Sequence, residues 1–214
     1  MNFFLFNLNI SLITFIPALT FFILNVFIPG PNVLNTIATS MGSGRTAGIA
    51  CAFATGLGVI LTALAALFGA AILFYKIPMI YMGLTILGSI LLLLFAKRYI
   101  QKSISSSAKL VALTNIDKTT AFQQAFLVLI SNPKMMTTWL AVISLFPIVA
   151  GSFSNIITFS LMAGAASFTG HLIFATVFST RLASRIYMNL YRPINALVGV
   201  GFIFYALKLL LSIL

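Results

Sequence analysis

The 214-residue chain is 61% hydrophobic and only 6% charged, with a mean hydropathy of +1.17, far more apolar than a soluble domain needs. Its net charge of +11, from twelve Lys and Arg against one acid, would suit nucleic acid in a water-soluble protein. Here the basic residues gather between apolar segments, where such residues anchor loops on the cytoplasmic side, and no aromatics interleave the Ser-rich segment 101–109, so nucleic acid is not an expected partner.

Residues 1–16 carry no Lys or Arg, so the positive n-region of a secretory signal is missing and no cleavable leader is expected; the use of the opening "MNFFLFNLN" is left open. Beyond it, long uncharged stretches follow one another. None of Arg45, Lys76 and Lys97 has a charged residue between it and the next, and from Pro147 to Thr180 the only ionisable side chain is His171. About 20 apolar residues cross a bilayer, so the chain reads as an all-α integral membrane protein, one transmembrane domain over 1–214. Six crossings are predicted, at about 18–44, 46–73, 77–96, 120–146, 152–178 and 194–212. Between the third and fourth lies a basic loop, 97–119, with Lys97, Arg98, Lys102, Lys109 and Lys118. Placing it in the cytoplasm puts nine of the twelve basic residues inside, leaving Lys76 and Lys208 outside and Lys134 within a helix, so both termini are predicted outside.

Two crossings are interrupted. "FFILNVFIPGPNVLNTIATSM" and "AFLVLISNPKMMTTWLAVISL" each place a proline–amide break after an apolar half-helix and resume with a Thr-bearing helix. Pro29 and Pro31 lack backbone donors and Gly30 lacks a Cβ; Asn132-Pro133-Lys134 repeats the situation. Each break opens a unit of three crossings, about 18–96 and 120–212. Three is odd, so the second unit is expected inverted, a plan that recurs among secondary transporters. Backbone groups freed at membrane depth are tolerated only against protein or a water-filled cavity. Half-helix N-termini suit a carboxylate and exposed carbonyls an ammonium, so an amino-acid zwitterion matches both, as other small polar solutes would.

Pro29, Gly30, Pro31, Asn32, Asn132, Pro133 and Lys134 are therefore the predicted substrate-binding residues. A lysine at membrane depth is costly and points to function, although its stem could also snorkel to an interface. His171 reads two ways, as a carrier of a coupling proton or as a hydrogen-bonded packing residue. Asn25, Asn35, Thr36, Thr137, Thr138 and Trp139 add polar edges that serve interhelical hydrogen bonding equally well. Gly44, Gly48, Gly56 and Gly58 are expected to let helices approach closely. Gly42-Ser43-Gly44 is not a phosphate loop, lacking a preceding strand and a following Lys-Ser/Thr. Cys51, the single cysteine, excludes an internal disulfide and any Cys-rich metal site; no metal or cofactor is expected.

Three motifs in order, Pro29-Gly30-Pro31-Asn32, Gly44-Arg45-Thr46-Ala47-Gly48 with Gly56-Leu57-Gly58, and Asn132-Pro133-Lys134, resemble those of the LysE/RhtB family of amino-acid exporters, over about residue 14 to the end. The resemblance implies gradient-driven efflux of amino acids or related metabolites from the bacterial cytoplasm. Two departures bear on substrate. Val59 stands where many members have an acid, and Thr137 and Thr138 where some do. The only acid is Asp117, in the basic loop, so a neutral or anionic amino acid is expected, with His171 the remaining titratable candidate. The competing classes are a small-solute channel and a membrane enzyme acting on lipid phosphates; the latter needs bases, metal ligands or clustered arginines that one His without acids does not supply. The partners expected are the solute and the lipid bilayer, and whether the unit is a homodimer is left open.

Overall fold

The computed structural model describes residues 2–28, 30–76, 80–105 and 112–211. Among these the chain folds into α1 (Asn2–Phe27), α2 (Pro31–Ser43), α3 (Arg45–Lys76), α4 (Ile80–Ile104), α5 (Lys118–Ile130), α6 (Pro133–Leu145), a 3-10 turn at Pro147–Ala150, α7 (Phe153–Val177) and α8 (Arg181–Leu211). Pro29 and Lys109 lie outside the described residues. Among the described residues, two helices are long and apolar enough to cross a membrane alone, over Arg45–Ile72 and Phe153–Val177, and the bent pairs make up to four if each is one span. The protein is thus an all-helical integral membrane protein.

The helices start and stop for local reasons. Asp117 caps α5 by accepting from the Thr120 amide at 3.0 Å, and Ser152 caps α7 by accepting from the Asn155 amide at 3.1 Å, each satisfying an orphan donor of a first turn. The two proline breaks bend their pairs by similar angles, 49° between α1 and α2 and 52° between α5 and α6. At Gly44 the backbone turns with φ +86°, in the left-handed region, and a Cβ built there meets nothing within 4 Å. Gly44 therefore serves the turn between α2 and α3 and not a helix contact, which corrects that expectation.

The most extensive pairings are α3 with α7 and α4 with α8, followed by α3 with α5. Lipid is as apolar as leucine, so association inside a bilayer relies on close packing rather than on the hydrophobic effect. The glycines mark where it is closest. A Cβ on Gly56 would fall 2.9 Å from Phe168 Cβ of α7, one on Gly164 would meet Ile60 of α3, and one on Gly58 would fall 2.6 Å from Leu129 of α5. Gly48 likewise lies against Ser40 and Ala175. A core of Phe15, Phe22, Leu67, Leu129, Val142 and Phe159 fills the space between these helices, with Phe22 stacked on Trp139 at 5.3 Å.

Two stretches expected as basic loops are partly helical. The first eight residues of the 97–119 segment complete α4, and 181–192 forms the first turns of α8. Lys and Arg are good helix formers, so charge there marks where a helix meets water and not where it ends. Arg192 then caps its neighbour. Its Nε and Nη2 donate to Ser103 O and Ile104 O at 2.9 and 3.1 Å, at the negative end of α4. The connection into the second half lies on α2: the Leu113 amide donates to Ala38 O at 3.0 Å, and Ser43 Oγ donates to Leu113 O while accepting from the Ile116 amide.

Candidate functional site

The end of α1 is where proline has its first consequence. In a continuous helix the amide of residue 29 would donate to Asn25 O, but Pro29 has no N–H. Asn25 O instead accepts from the Ile28 amide at 3.2 Å, tightening the last turn, and from Lys134 Nζ at 2.8 Å. The same ammonium donates to Ile28 O at 2.9 Å. A cation from α6 thus sits on carbonyls at the negative end of α1. α2 restarts from Gly30, whose carbonyl accepts from the Leu34 amide at 2.9 Å, and no side chain caps it.

Glycine at position 30 is explained by space. Its backbone is extended, φ −126° and ψ −177°, which any residue adopts. A Cβ there would stand 3.0 Å from Lys134 Cδ, 3.4 Å from Lys134 Nζ and 3.3 Å from the Tyr99 hydroxyl. The absent side chain is the lane through which the lysine reaches α1.

The start of α6 is built to aim that lysine. Pro133 opens the helix and Asn132 caps it, its Oδ1 accepting from the Lys134 amide at 3.0 Å. One turn on, Thr138 Oγ1 lies 2.7 Å from Lys134 O and 3.2 Å from Asn25 Oδ1, a second tie between α6 and α1. Lys134 is 7% exposed and Asn132 4%. A charge so buried is tolerable only because its donors are engaged.

Gly30, Asn32, Asn132 and Lys134 line one cavity with Asn25, Thr138, Ser167 and His171, closed by apolar residues that include Phe22, Val59 and Met135. Its volume is about 30 Å³, room for a water or two and too little for an amino acid. Two polar atoms in this wall, Asn32 Oδ1 and His171 Nε2, are buried without a hydrogen-bond partner. His171 Nδ1 lies 2.9 Å from Ser167 O. A carbonyl only accepts, so Nδ1 carries the proton and Nε2 of the neutral ring offers a lone pair.

Of the predicted site residues, Gly30, Asn32, Asn132, Lys134 and His171 meet at this cavity. Pro31 begins α2 with its ring exposed and does not line it, and Pro133 is placed at the first turn of α6. Sequence reasoning missed Ser167, although its spacing of four from His171 on one helix was a signal. It also missed Tyr99, which was read as loop and comes from α4.

A family model for LysE type translocators matches residues 23–213. The chain belongs to that family. Neither a curated protein nor a solved structure matches it. As a LysE type translocator it is a member of a transporter family and not of an enzyme family, one whose members move small solutes such as amino acids. The matched residues take in the break of each bent pair and, apart from Phe22, the residues that line the cavity.

Proposed function

We propose that this LysE type translocator is a secondary active exporter that carries a neutral or anionic amino acid, or a related small metabolite, out of the bacterial cytoplasm by alternating access. The observation that carries the reading is the meeting of two proline-broken helix pairs at one buried polar cavity. Six crossings in two inverted repeats, about 18–96 and 120–212, frame it. Besides the four spans above, α4 and α8 complete the six, since 80–96 holds no charge and 194–211 only Lys208. Some pairings are those an inverted repeat would give, α3 on α7, α4 on α8, and α1 against α6 as α2 against α5, while α2 on α3 and α4 on α6 lack an equally close counterpart.

The solute lies between the breaks. Its carboxylate faces Lys134 and the uncapped start of α2, and its ammonium faces acceptors such as Asn32 Oδ1. His171 is the titratable group for proton coupling. The cavity is too small here for the solute, so binding requires the half-helices to part. The test is efflux from cells or vesicles with membrane protein level measured alongside. Asn32→Ala abolishes efflux without loss of protein; normal efflux sinks the site assignment. External solute speeds release of labelled internal solute in a carrier, whereas a channel shows no such trans-stimulation. His171→Gln removes the dependence of efflux on a proton gradient and spares exchange; an unchanged gradient dependence rules His171 out.

A further inference from the structure

The lysine is itself an ammonium in a site made of carbonyls. We propose that the pair Asn25 O and Ile28 O is a cradle for a primary ammonium, held by Lys134 before the solute binds and taken over by the ammonium of the solute when it does.

Three observations shape the cradle. Its two acceptors lie 2.8 and 2.9 Å from Lys134 Nζ, at charge-assisted hydrogen-bond distance. One of them, Asn25 O, loses its ordinary helical donor to the covalent structure of Pro29 and keeps only the Ile28 amide at 3.2 Å, which leaves its second lone pair open to a cation. The approach is walled at Gly30, where even one carbon would stand 3.0 Å from the lysine stem. Such a lane admits a compact R–NH3+ group on a slim chain and rejects a quaternary ammonium, which has no N–H to give.

The exchange has a consequence for substrate class, and this part rests on the transporter reading above. If a solute ammonium replaces the lysine, Lys134 is released close by with its charge uncovered. A carboxylate on the same solute covers it, so every charge stays paired while two partners change places. A simple amine puts two cations in one buried cavity, and a simple carboxylate draws the lysine away and leaves the carbonyls bare; both are costly. Lys134 is therefore a tethered competitor for the solute ammonium, and the swap selects zwitterions.

The cradle is tested apart from transport. Lys134→Ala and Lys134→Met are purified in detergent and melted with ethylammonium chloride, with sodium chloride or tetramethylammonium chloride at equal concentration as controls. Ethylammonium at about ten times its dissociation constant raises the melting temperature of Lys134→Ala by about 3 to 5 °C, the controls do not, and wild type, its cradle filled, does not respond. Lys134→Met, whose stem fills the lane, responds less. A variant that folds only when ethylammonium is in the growth medium supports the cradle as well. Equal shifts in wild type and variant, equal effects of ethylammonium and tetramethylammonium, or variants that stay unfolded with ethylammonium present each overturn it. Normal efflux by Asn32→Ala would remove the solute reading and leave the cradle standing, so the two failures are distinguishable.

Discussion

Asn132 is the residue on which the aim of Lys134 depends, and its replacement tests the local geometry. In Asn132→Ala the Lys134 amide loses the acceptor it holds at 3.0 Å, in a place where Asn132 is only 4% exposed. Loss of a helix cap costs about 1 kcal/mol, and up to about 2. In a chain of this size each kcal/mol lowers the melting temperature by about 2–4 °C, so the fall should be about 2–8 °C. The functional effect should be larger than the thermal one. An unpinned first turn of α6 no longer delivers the Nζ to Asn25 O and Ile28 O, both reached across the gap between the two breaks. Asn132→Ser, with a shorter acceptor in the same role, should recover most of the stability and part of the efflux. The assay is a pair of melts in one detergent, with efflux normalised to membrane protein. An Asn132→Ala protein that melts and transports like wild type would refute the reasoning, as would a Ser variant that falls as far as Ala.

Two further outcomes follow from packing and charge. Gly164→Ala drives a methyl into Ile60 and to 3.1 Å from Gly56 O, a backbone atom that cannot swing aside, so overpacking should destabilise the α3–α7 contact by about 1–3 kcal/mol. Gly69→Ala, where a Cβ meets nothing, should be neutral or slightly stabilising in a helix interior; equal melting temperatures for the two would contradict the packing account. Asp117 is fully exposed at the start of α5, and hydrogen bonds from the Thr120 side chain and then its amide hold the carboxyl below its ordinary pKa. A depressed folded pKa stabilises above the unfolded value of about 3.9 and loses that contribution as pH falls through the folded one. Asp117→Ala should therefore melt lower than wild type near neutral pH and approach it below about pH 4. A gap that persists undiminished in acid would show that the charge is not what matters.

The site was legible in part because proline and lysine speak through covalent chemistry. Pro29 and Pro31 remove donors wherever they stand, and a lysine far from water must find acceptors, so a polar meeting point of the two breaks could be read from the sequence. The four glycines were less so. Gly48, Gly56 and Gly58 approach other helices, but Gly44 turns the chain, and composition alone does not distinguish a glycine chosen for space from one chosen for φ. The basic segments misled for a related reason. Charge reports the boundary with water, and α4 and α8 cross it without ending.

What the sequence determined by itself was the solvent and the interruptions: 61% hydrophobic residues require lipid around the helices, and a missing amide hydrogen cannot be restored by folding. What only the tertiary structure decided was which cation joins the Ile28 amide on the carbonyl that Pro29 leaves short of its helical donor. Asn25 and Lys134 are 109 residues apart, and no local rule pairs them. The pairing exists because close packing brings α6 against α1, and because Gly30, from the other side of the break, leaves the width of one carbon for the lysine to pass.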